Sequence, residues 1–294
     1  MLKDNVETFL GCDASYEKAR IVLFGAPFDS TTSFRPGTRF ASRAMRAESY
    51  GLETYSPHLG LDMEEARVFD GGDLELCFGD TERALGDIEA FARGILADGK
   101  KPFLIGGEHL VTLPVLRAVA ERHKDLAIVH FDAHADLRED YLGARLSHAT
   151  VMRRAWELVG DGNLYQFGIR SGTRAEFDWA RAHTHLQKFD FAGLKWVMES
   201  LAGRPVYLTV DLDVLDPSFF PGTGTPEPGG VTFLDLLGAV RRVLRHVPVV
   251  GCDMVELSPH YDMSGASTAV ALKLLREMLL AWEAPQIRAE KGEK

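Results

Sequence analysis

The chain has 294 residues, 46% of them hydrophobic and 26% charged, with a formal net charge of −10 at pH 7. It is long enough to bury a sizeable core, and its negative charge disfavours a nucleic-acid partner and mildly favours small cationic ligands. Three isolated cysteines without CxxC spacing, at positions 12, 77 and 252, predict neither disulfides nor a thiolate zinc site. No signal-peptide core or membrane-spanning stretch is visible, so we expect a cytoplasmic protein without a membrane partner.

Short apolar runs alternate with longer stretches of helical periodicity. In chain order the predicted strands are "ARIVLFGAPFD", "RVFDGG", "KPFLIGGEH", "LAIVHFDAH", "NLYQFGIRS", "PVYLTVDLD" and "VPVVGCDMVEL". This alternation predicts a single three-layer α/β domain, with a mostly parallel central sheet and helices on both faces. We place this domain at residues 1–283 and expect residues 284–294, "APQIRAEKGEK", to form a polar and frayed tail.

Several predicted strands end in side chains that bind metals or carry charge. They are His109 in "LIGGEHL", Asp132, His134 and Asp136 in "HFDAHAD", Asp211 and Asp213 in "YLTVDLDVLDP", and Glu256 in "GCDMVELSP". The carboxyl ends of parallel strands meet at one edge of a sheet, where such folds bind ligands. We therefore expect these side chains to lie together.

The spacing within "HFDAHAD" indicates a shared site for its three polar residues. Residues two apart in an extended segment point to the same side, so Asp132, His134 and Asp136 can reach one point. We expect His130 to pack behind this set. Two imidazoles and four carboxylates in a crevice would be very costly without cations. Two divalent ions resolve this cost, and the oxygen-rich, thiolate-free donors favour Mn²⁺, although zinc, iron or cobalt also fit.

These motifs resemble those of the ureohydrolases, the arginase and agmatinase family of dinuclear manganese enzymes, and the resemblance is closest to agmatinases. "GGEH", "FDAHAD" and "DLDVLDP" are similar to the three metal-binding motifs of that family in order and approximate spacing. The resemblance covers nearly the whole chain and implies an arginase-like fold. It also implies that two Mn²⁺ ions are bound by His109, Asp132, His134, Asp136, Asp211 and Asp213, with Asp132 and Asp213 shared; the partition between the ions stays open.

The same resemblance implies catalytic roles for three residues. Glu256, in "VELSPHYD", would grip a guanidinium group, Asp136 would carry a proton to the departing amine, and His148, in "LSHATVMRR", would exchange protons with solvent. His148 is followed by Ala149 where the family often has glycine. Three further stretches are similar to loops of agmatinases: "SFRPGTRFASRAMR", "FGIRSG" and "PGTGTPEPGG".

The resemblance implies cleavage of a guanidinium group to urea and an amine, with agmatine, which would give putrescine in polyamine biosynthesis, as the leading substrate. N1-aminopropylagmatine, guanidinobutyrate and arginine are alternatives, and relatives are usually trimers or hexamers. A one-metal deacetylase-like amidohydrolase is a rival that the full ligand set disfavours. A metal-binding regulatory protein of the same fold is a second rival, disfavoured because Glu256, His148 and every ligand are present.

A tail preference follows from the stretch after the metal trio, "LREDYLGARLSH". We expect Glu139 and Asp140 to lie near the mouth of the site, where they would attract a terminal ammonium and repel the α-carboxylate of arginine. Arg138 and Arg145 oppose this expectation, because either could turn inward and receive a carboxylate.

Overall fold

A computed structural model of the chain describes residues 7–292. Eight strands form one sheet in which every neighbouring pair is parallel. They are β1 (Ile21–Ala26), β4 (Val68–Asp73), β5 (Lys101–Gly106), β6 (Ala127–Phe131), β7 (Leu164–Ile169), β8 (His185–Lys188), β9 (Val206–Asp211) and β10 (Val249–Val255). A separate antiparallel pair is formed by β2 (Tyr55–Ser56) and β3 (Leu61–Asp62).

The helices cover both faces of the sheet. They are α1 (Ala41–Ser49), α2 (Thr81–Ala97), α3 (Thr112–Arg122), α4 (Val151–Val159), α5 (Arg174–His183), α6 (Leu194–Ser200), α7 (Phe233–His246) and α8 (Ala266–Glu290). Buried side chains of α1, α6, α7 and α8 belong to one apolar core, and those of α2 to α5 belong to a second. The predicted three-layer α/β domain with a parallel sheet is therefore confirmed. None of the described helices has both the length and the apolar content to cross a membrane.

All seven predicted strands are present, but the sequence pattern missed an eighth. Strand β8 lies at one edge of the sheet beside β7, and the residues of "HLQK" are exposed or only partly buried. An edge strand with one neighbour and little apolar content leaves no clear periodic signal. The missed strand is far from the middle of the sheet.

The prediction of a polar tail from Ala284 is wrong for the residues that the structure describes there. Helix α8 continues to Glu290, and Ala284 and Ile287 are buried in the core that α8 shares with α7. Glu290 also pairs with Arg20 at 2.7 Å. Glu290 and Lys291 are exposed while Ala284 and Ile287 face the core, a division that composition alone does not reveal. Residues 293 and 294 lie outside the described part.

The strand order places the predicted site residues side by side. The order is β4-β1-β5-β10-β9-β6-β7-β8, so the four strands that precede the polar motifs, β5, β10, β9 and β6, are consecutive neighbours. Because all four are parallel, their carboxyl ends open onto the same edge. The fold thus collects residues that are up to about 150 positions apart in the chain, His109 and Glu256 being separated by 147.

Candidate metal centre and active site

The six predicted metal-binding side chains lie together at the carboxyl ends of three of these strands. His109 opens a short 3-10 turn after β5, Asp211 ends β9, and Asp213 lies in the 3-10 turn that follows. Asp132, His134 and Asp136 follow β6. All except His134 are buried. The structure shows how they are arranged, and their binding of metal stays a proposal.

One group forms around the imidazole of His109. Its Nδ1 atom lies 3.1 Å from Oδ2 of Asp132, 3.2 Å from Oδ2 of Asp136 and 3.3 Å from Oδ2 of Asp211, yet it is buried without a hydrogen-bond partner. Two ligands each about 2.1 Å from one ion and at right angles to it lie about 3 Å apart. The spacing therefore fits four donors around one divalent cation.

A second group forms around His134. Its Nδ1 atom lies 3.0 Å from Oδ2 of Asp213 and 3.5 Å from Oδ1 of Asp132. Asp132 thus directs one carboxylate oxygen to each group and spans both. Asp211 contacts the imidazole of His109 and Asp213 contacts that of His134, so Asp132 is the residue whose sharing the geometry supports.

The path of the chain through "DAHAD" differs from the extended segment assumed in the prediction. Strand β6 ends at Phe131, and Asp136 has a φ of 54°, in the left-handed region that non-glycine residues rarely adopt. Asp132 and Asp136 reach His109, whereas His134 turns towards Asp213. The curved loop, and not strand alternation alone, brings the trio to the site.

The electrostatics of the cluster fit bound cations. Burial and the carboxylate of Asp132 raise the pKa of Asp136 to about 7, and burial with Asp213 and Asp132 raises the pKa of Asp211 well above its usual value. Burial lowers the pKa of His109, but the contacts with Asp132 and its other carboxylate neighbours outweigh it and raise the pKa. These shifts all express an excess of buried negative charge, which a pair of divalent ions would compensate.

Glu256 follows β10 and lies against the same cluster. Its Oε1 atom accepts the backbone N–H of His109 at 2.8 Å, and burial together with Asp213 and Glu108 raises its pKa well above the usual value. Glu256 is only 6% exposed and lines the cleft above the cluster. A carboxylate in this position is suited to pair with a cation that enters the cleft.

His148 stands on the cleft wall at the start of a 3-10 turn before α4. Its backbone N–H donates to Oγ1 of Thr31 at 3.1 Å, and its Nε2 atom lies 3.2 Å from Oγ of Ser33. Burial, reinforced by His134 and His109, lowers its pKa to about 4. The ring is therefore neutral near pH 7 and able to accept a proton.

The cleft has a volume of about 250 Å³, which suits a small molecule. Arg138 and Glu176 both line it, with Arg138 Nε 3.7 Å from Glu176 Oε2 and its guanidinium 4.5 Å from the ring of Tyr141. Glu139 and Asp140 follow Arg138 in the chain but are not among the residues that line the cleft. Glu139 pairs with Arg153 at 2.9 Å and Asp140 accepts the N–H of Gly143, and their effect on the substrate tail stays a prediction.

The three loops singled out in the sequence surround the cleft. In "SFRPGTRFASRAMR", Ser33 lines it, and in "PGTGTPEPGG", Thr225 does. Gly224 is needed where these loops touch, because an added Cβ would lie 2.9 Å from the carbonyl oxygen of Arg35. In "FGIRSG", Arg170 donates to the carbonyl oxygens of Asp213 and Glu227, each at 2.8 Å, and so fixes the turn that carries Asp213.

Sequence reasoning missed two buried networks behind the site. Glu108 accepts hydrogen bonds from the hydroxyls of Thr31 and Thr32, and burial raises its pKa to about 7; its place directly before His109 was the available signal. Gln166 on β7 contacts His130, and nothing in the local sequence distinguishes it from an ordinary strand residue.

Comparisons with known proteins agree with this site. Residues 19–281 match the model of the arginase family. The chain is 48% identical to an agmatinase of Bacillus subtilis over 94% of this chain and 96% of that protein, and 36% identical to a guanidinobutyrase of Pseudomonas aeruginosa over 87% and 84%. The crystal structure of an agmatine ureohydrolase of Thermoplasma volcanium superposes with a TM-score of 0.87 at 34% identity, covering 98% of this chain and 97% of that one. The chain is a ureohydrolase and belongs to the arginase family.

Proposed function

We propose that this ureohydrolase cleaves agmatine to putrescine and urea with two Mn²⁺ ions per chain. The observation that carries the proposal is the pair of ligand groups, joined by Asp132, beneath a cleft that Glu256 and His148 line. Relatives at 47% and 48% identity bear the name agmatinase. The ligands proposed are those predicted from the motifs: His109, Asp132, Asp136 and Asp211 for one ion, and Asp132, His134 and Asp213 for the other.

The donor set fits the proposed metals. It offers two imidazole nitrogens and four carboxylates without a thiolate, which is a suitable set for manganese. When bound, the ions supply Lewis acidity that lets water act as a nucleophile near neutral pH.

Side chains of the cleft bind the substrate and transfer the protons. Glu256 binds the guanidinium through charge-assisted hydrogen bonds and sets its carbon over the ligand cluster. A carbon–oxygen bond to water then forms, and the carbon–nitrogen bond to the tail breaks. Asp136 takes the proton released by the water and passes it to the departing amine. His148, neutral and at the cleft wall, exchanges protons with solvent as urea and the amine leave.

The cleft wall favours agmatine only narrowly over one rival. Glu176 brings a negative charge to the cleft wall, which favours an ammonium tail, while its Oε1 accepts the N–H of Leu137 and its Oε2 accepts that of Thr173. Arg138 offers a cation to a carboxylate tail. Guanidinobutyrate is therefore the second candidate, and Arg138 is the observation that favours it. The more similar relatives named agmatinase support the ammonium tail.

The proposal is tested by urea release from agmatine, N1-aminopropylagmatine, guanidinobutyrate and L-arginine, with manganese-loaded protein and an EDTA-treated control. We expect the highest kcat/KM for agmatine, and no urea release from the EDTA-treated protein. A kcat/KM for L-arginine or guanidinobutyrate equal to that for agmatine would contradict the substrate assignment. Absence of urea from all four would contradict the reaction itself. The cytoplasmic location and assembly into trimers or hexamers stay predictions.

A further inference from the structure

A series of hydrogen bonds runs from Thr184, the residue directly before β8, to the shared carboxylate of Asp132. Thr184 Oγ1 donates to Oε1 of Gln166 at 3.2 Å, Gln166 Nε2 lies 3.2 Å from Nδ1 of His130, and His130 Nε2 lies 2.8 Å from Oδ2 of Asp132. Gln166, His130 and Asp132 are completely buried. His130 and Gln166 are paired directly across β6 and β7, so the sheet register itself sets their contact.

The carbonyl of Ala135 assigns a direction to each hydrogen bond of this series. Gln166 Nε2 lies 2.8 Å from the carbonyl oxygen of Ala135, and because a carbonyl can only accept, the amide nitrogen must occupy this side. Its other hydrogen points to Nδ1 of His130, which must accept. The proton of the neutral ring is then on Nε2 and is donated to Asp132.

This geometry makes His130 an unsuitable metal ligand. The nitrogens of His109 and His130 and an oxygen of Asp132 are close enough together to hold an ion. In His130, however, the lone pair on Nδ1 is used by Gln166, and Nε2 carries the proton that goes to Asp132. Neither nitrogen is left to bind a cation.

The hydrogen bond from His130 restricts a movement of Asp132 that would disturb both ligand groups. Oδ2 of Asp132 faces His109 at 3.1 Å, and Oδ1 faces His134 at 3.5 Å. Rotation of this carboxylate about its Cβ–Cγ bond would displace both oxygens together. A donor fixed on Oδ2 by a fully buried partner holds the carboxylate plane in place.

We propose that His130, oriented by Gln166, is a positioning residue that fixes the carboxylate of Asp132 for both ions at once. Gln166 also holds the ligand loop directly, since it donates to the carbonyl of Ala135 between His134 and Asp136. The inference rests on the proposed two-ion site. It assigns no contact with substrate to either residue.

The test compares His130→Phe, which removes the donor, with His130→Gln, whose amide can still donate from nearly the same position but has no imidazole for a metal. Mn²⁺ binding is measured by equilibrium dialysis, with circular dichroism as the check on folding. We expect both ions of His130→Phe to bind about 10- to 100-fold more weakly, and those of His130→Gln to stay within about threefold of the wild type. Retained affinity in folded His130→Phe would overturn the proposal, as would loss of one ion in His130→Gln.

Gln166→Met keeps His130, and it tests the series of hydrogen bonds if His130→Phe fails to fold. In zinc-loaded protein labelled with ¹⁵N-histidine, the His130 signals, identified by their absence in His130→Gln, should show a protonated Nε2 and an unprotonated Nδ1. We expect Gln166→Met to disturb this protonation pattern and to weaken the binding of both ions. A protonated Nδ1 in the wild type, or unchanged affinity in Gln166→Met, would refute the orientation that we assign.

Kinetics separate positioning from a general structural role. At saturating Mn²⁺, His130→Phe should recover most of its kcat with little change in KM for agmatine, because the cleft is untouched. Loss of kcat that excess Mn²⁺ does not restore would count against the proposal. If the wild-type protein itself bound fewer than two ions, the proposed function would fail first, which keeps the two failures distinguishable.

Discussion

Glu256 and His109 are joined by a direct hydrogen bond, in which Oε1 of Glu256 accepts the backbone N–H of His109 at 2.8 Å. They follow the neighbouring strands β10 and β5. Because Oε1 is engaged, Oε2 is the oxygen left to face a substrate. The φ of Glu256 is 66°, a costly backbone conformation for a residue with a side chain, and such conformations cluster at functional sites.

Glu256→Gln should lower kcat/KM for agmatine by orders of magnitude and leave the metal content unchanged. The amide can still accept from the N–H of His109, so the loop is retained, but the anion that pairs with the guanidinium is lost. Urea release and metal analysis on the same preparation check this. Activity near that of the wild type would contradict the role of Glu256.

Asp213→Ala should abolish turnover and lower the metal content below two ions per chain. Asp213 Oδ2 lies 3.0 Å from His134 Nδ1, so its removal takes a donor from the second group. Asp216→Asn is the matched control, since this nearby carboxylate accepts from the N–H groups of Gly229 and Gly230 and does not line the cleft. Metal analysis after manganese reconstitution should give two ions for the wild type and the control; two ions in Asp213→Ala would count against its role as a ligand.

Arg138→Gln should shift the substrate preference further towards agmatine. Removing a cation from the cleft wall makes the mouth more negative, which favours an ammonium tail over a carboxylate. We expect the ratio of kcat/KM for agmatine to that for guanidinobutyrate to rise about tenfold. Arg145→Gln, which removes an exposed arginine paired with Glu157 outside the cleft, should leave the ratio unchanged. A fall in the ratio with Arg138→Gln would show that Arg138 serves agmatine itself.

His148→Phe should lower kcat about 10- to 100-fold with a smaller effect on KM. Burial lowers the pKa of His148 to about 4, so the wild-type ring is neutral at and around neutral pH. The loss should therefore be nearly constant between about pH 6 and pH 9. A loss confined to the acid end of this range, measured in pH profiles of kcat, would mean that the charged ring is the active form.

Asp262→Asn should destabilise the fold at neutral pH and do so less as the pH falls. Hydrogen bonds from Ser264 and Ser267 lower the pKa of Asp262 to about 2, against about 4 in an unfolded chain. The ionised group therefore contributes stability that is complete above about pH 4 and is lost as the pH falls towards 2. We expect a cost of about 1–2 kcal/mol at neutral pH.

Urea unfolding of Asp262→Asn and the wild type, both without metal, measures that cost across the pH range. Asp140→Asn is the matched control, because Asp140 is exposed and accepts a single hydrogen bond within residues 7–292, from the N–H of Gly143. A difference between Asp262→Asn and the wild type that did not shrink between pH 4 and pH 2 would contradict the assigned hydrogen bonds.

The sequence by itself determined the fold class, the central strands and the residues of the candidate site. Buried parallel strands are rich in apolar residues, as in "LAIVHF", and polar residues such as Asp132 and Asp211 stand out at their ends. Each motif spans only a few consecutive residues, so its spacing can be recognised in the sequence alone. Membership of the arginase family, inferred from these motifs, is confirmed by the match over residues 19–281.

Only the tertiary structure decided how these residues are arranged. The strand order made β5, β10, β9 and β6 neighbours, and the left-handed turn at Asp136 sent that residue to His109 while His134 faced Asp213. The ion pair of Glu139 with Arg153 is visible only in the structure. The contact of Gln166 with His130 likewise depends on the pairing of β7 with β6. A side chain's partner across a sheet or around a loop depends on three-dimensional contacts between distant segments, which no local period records.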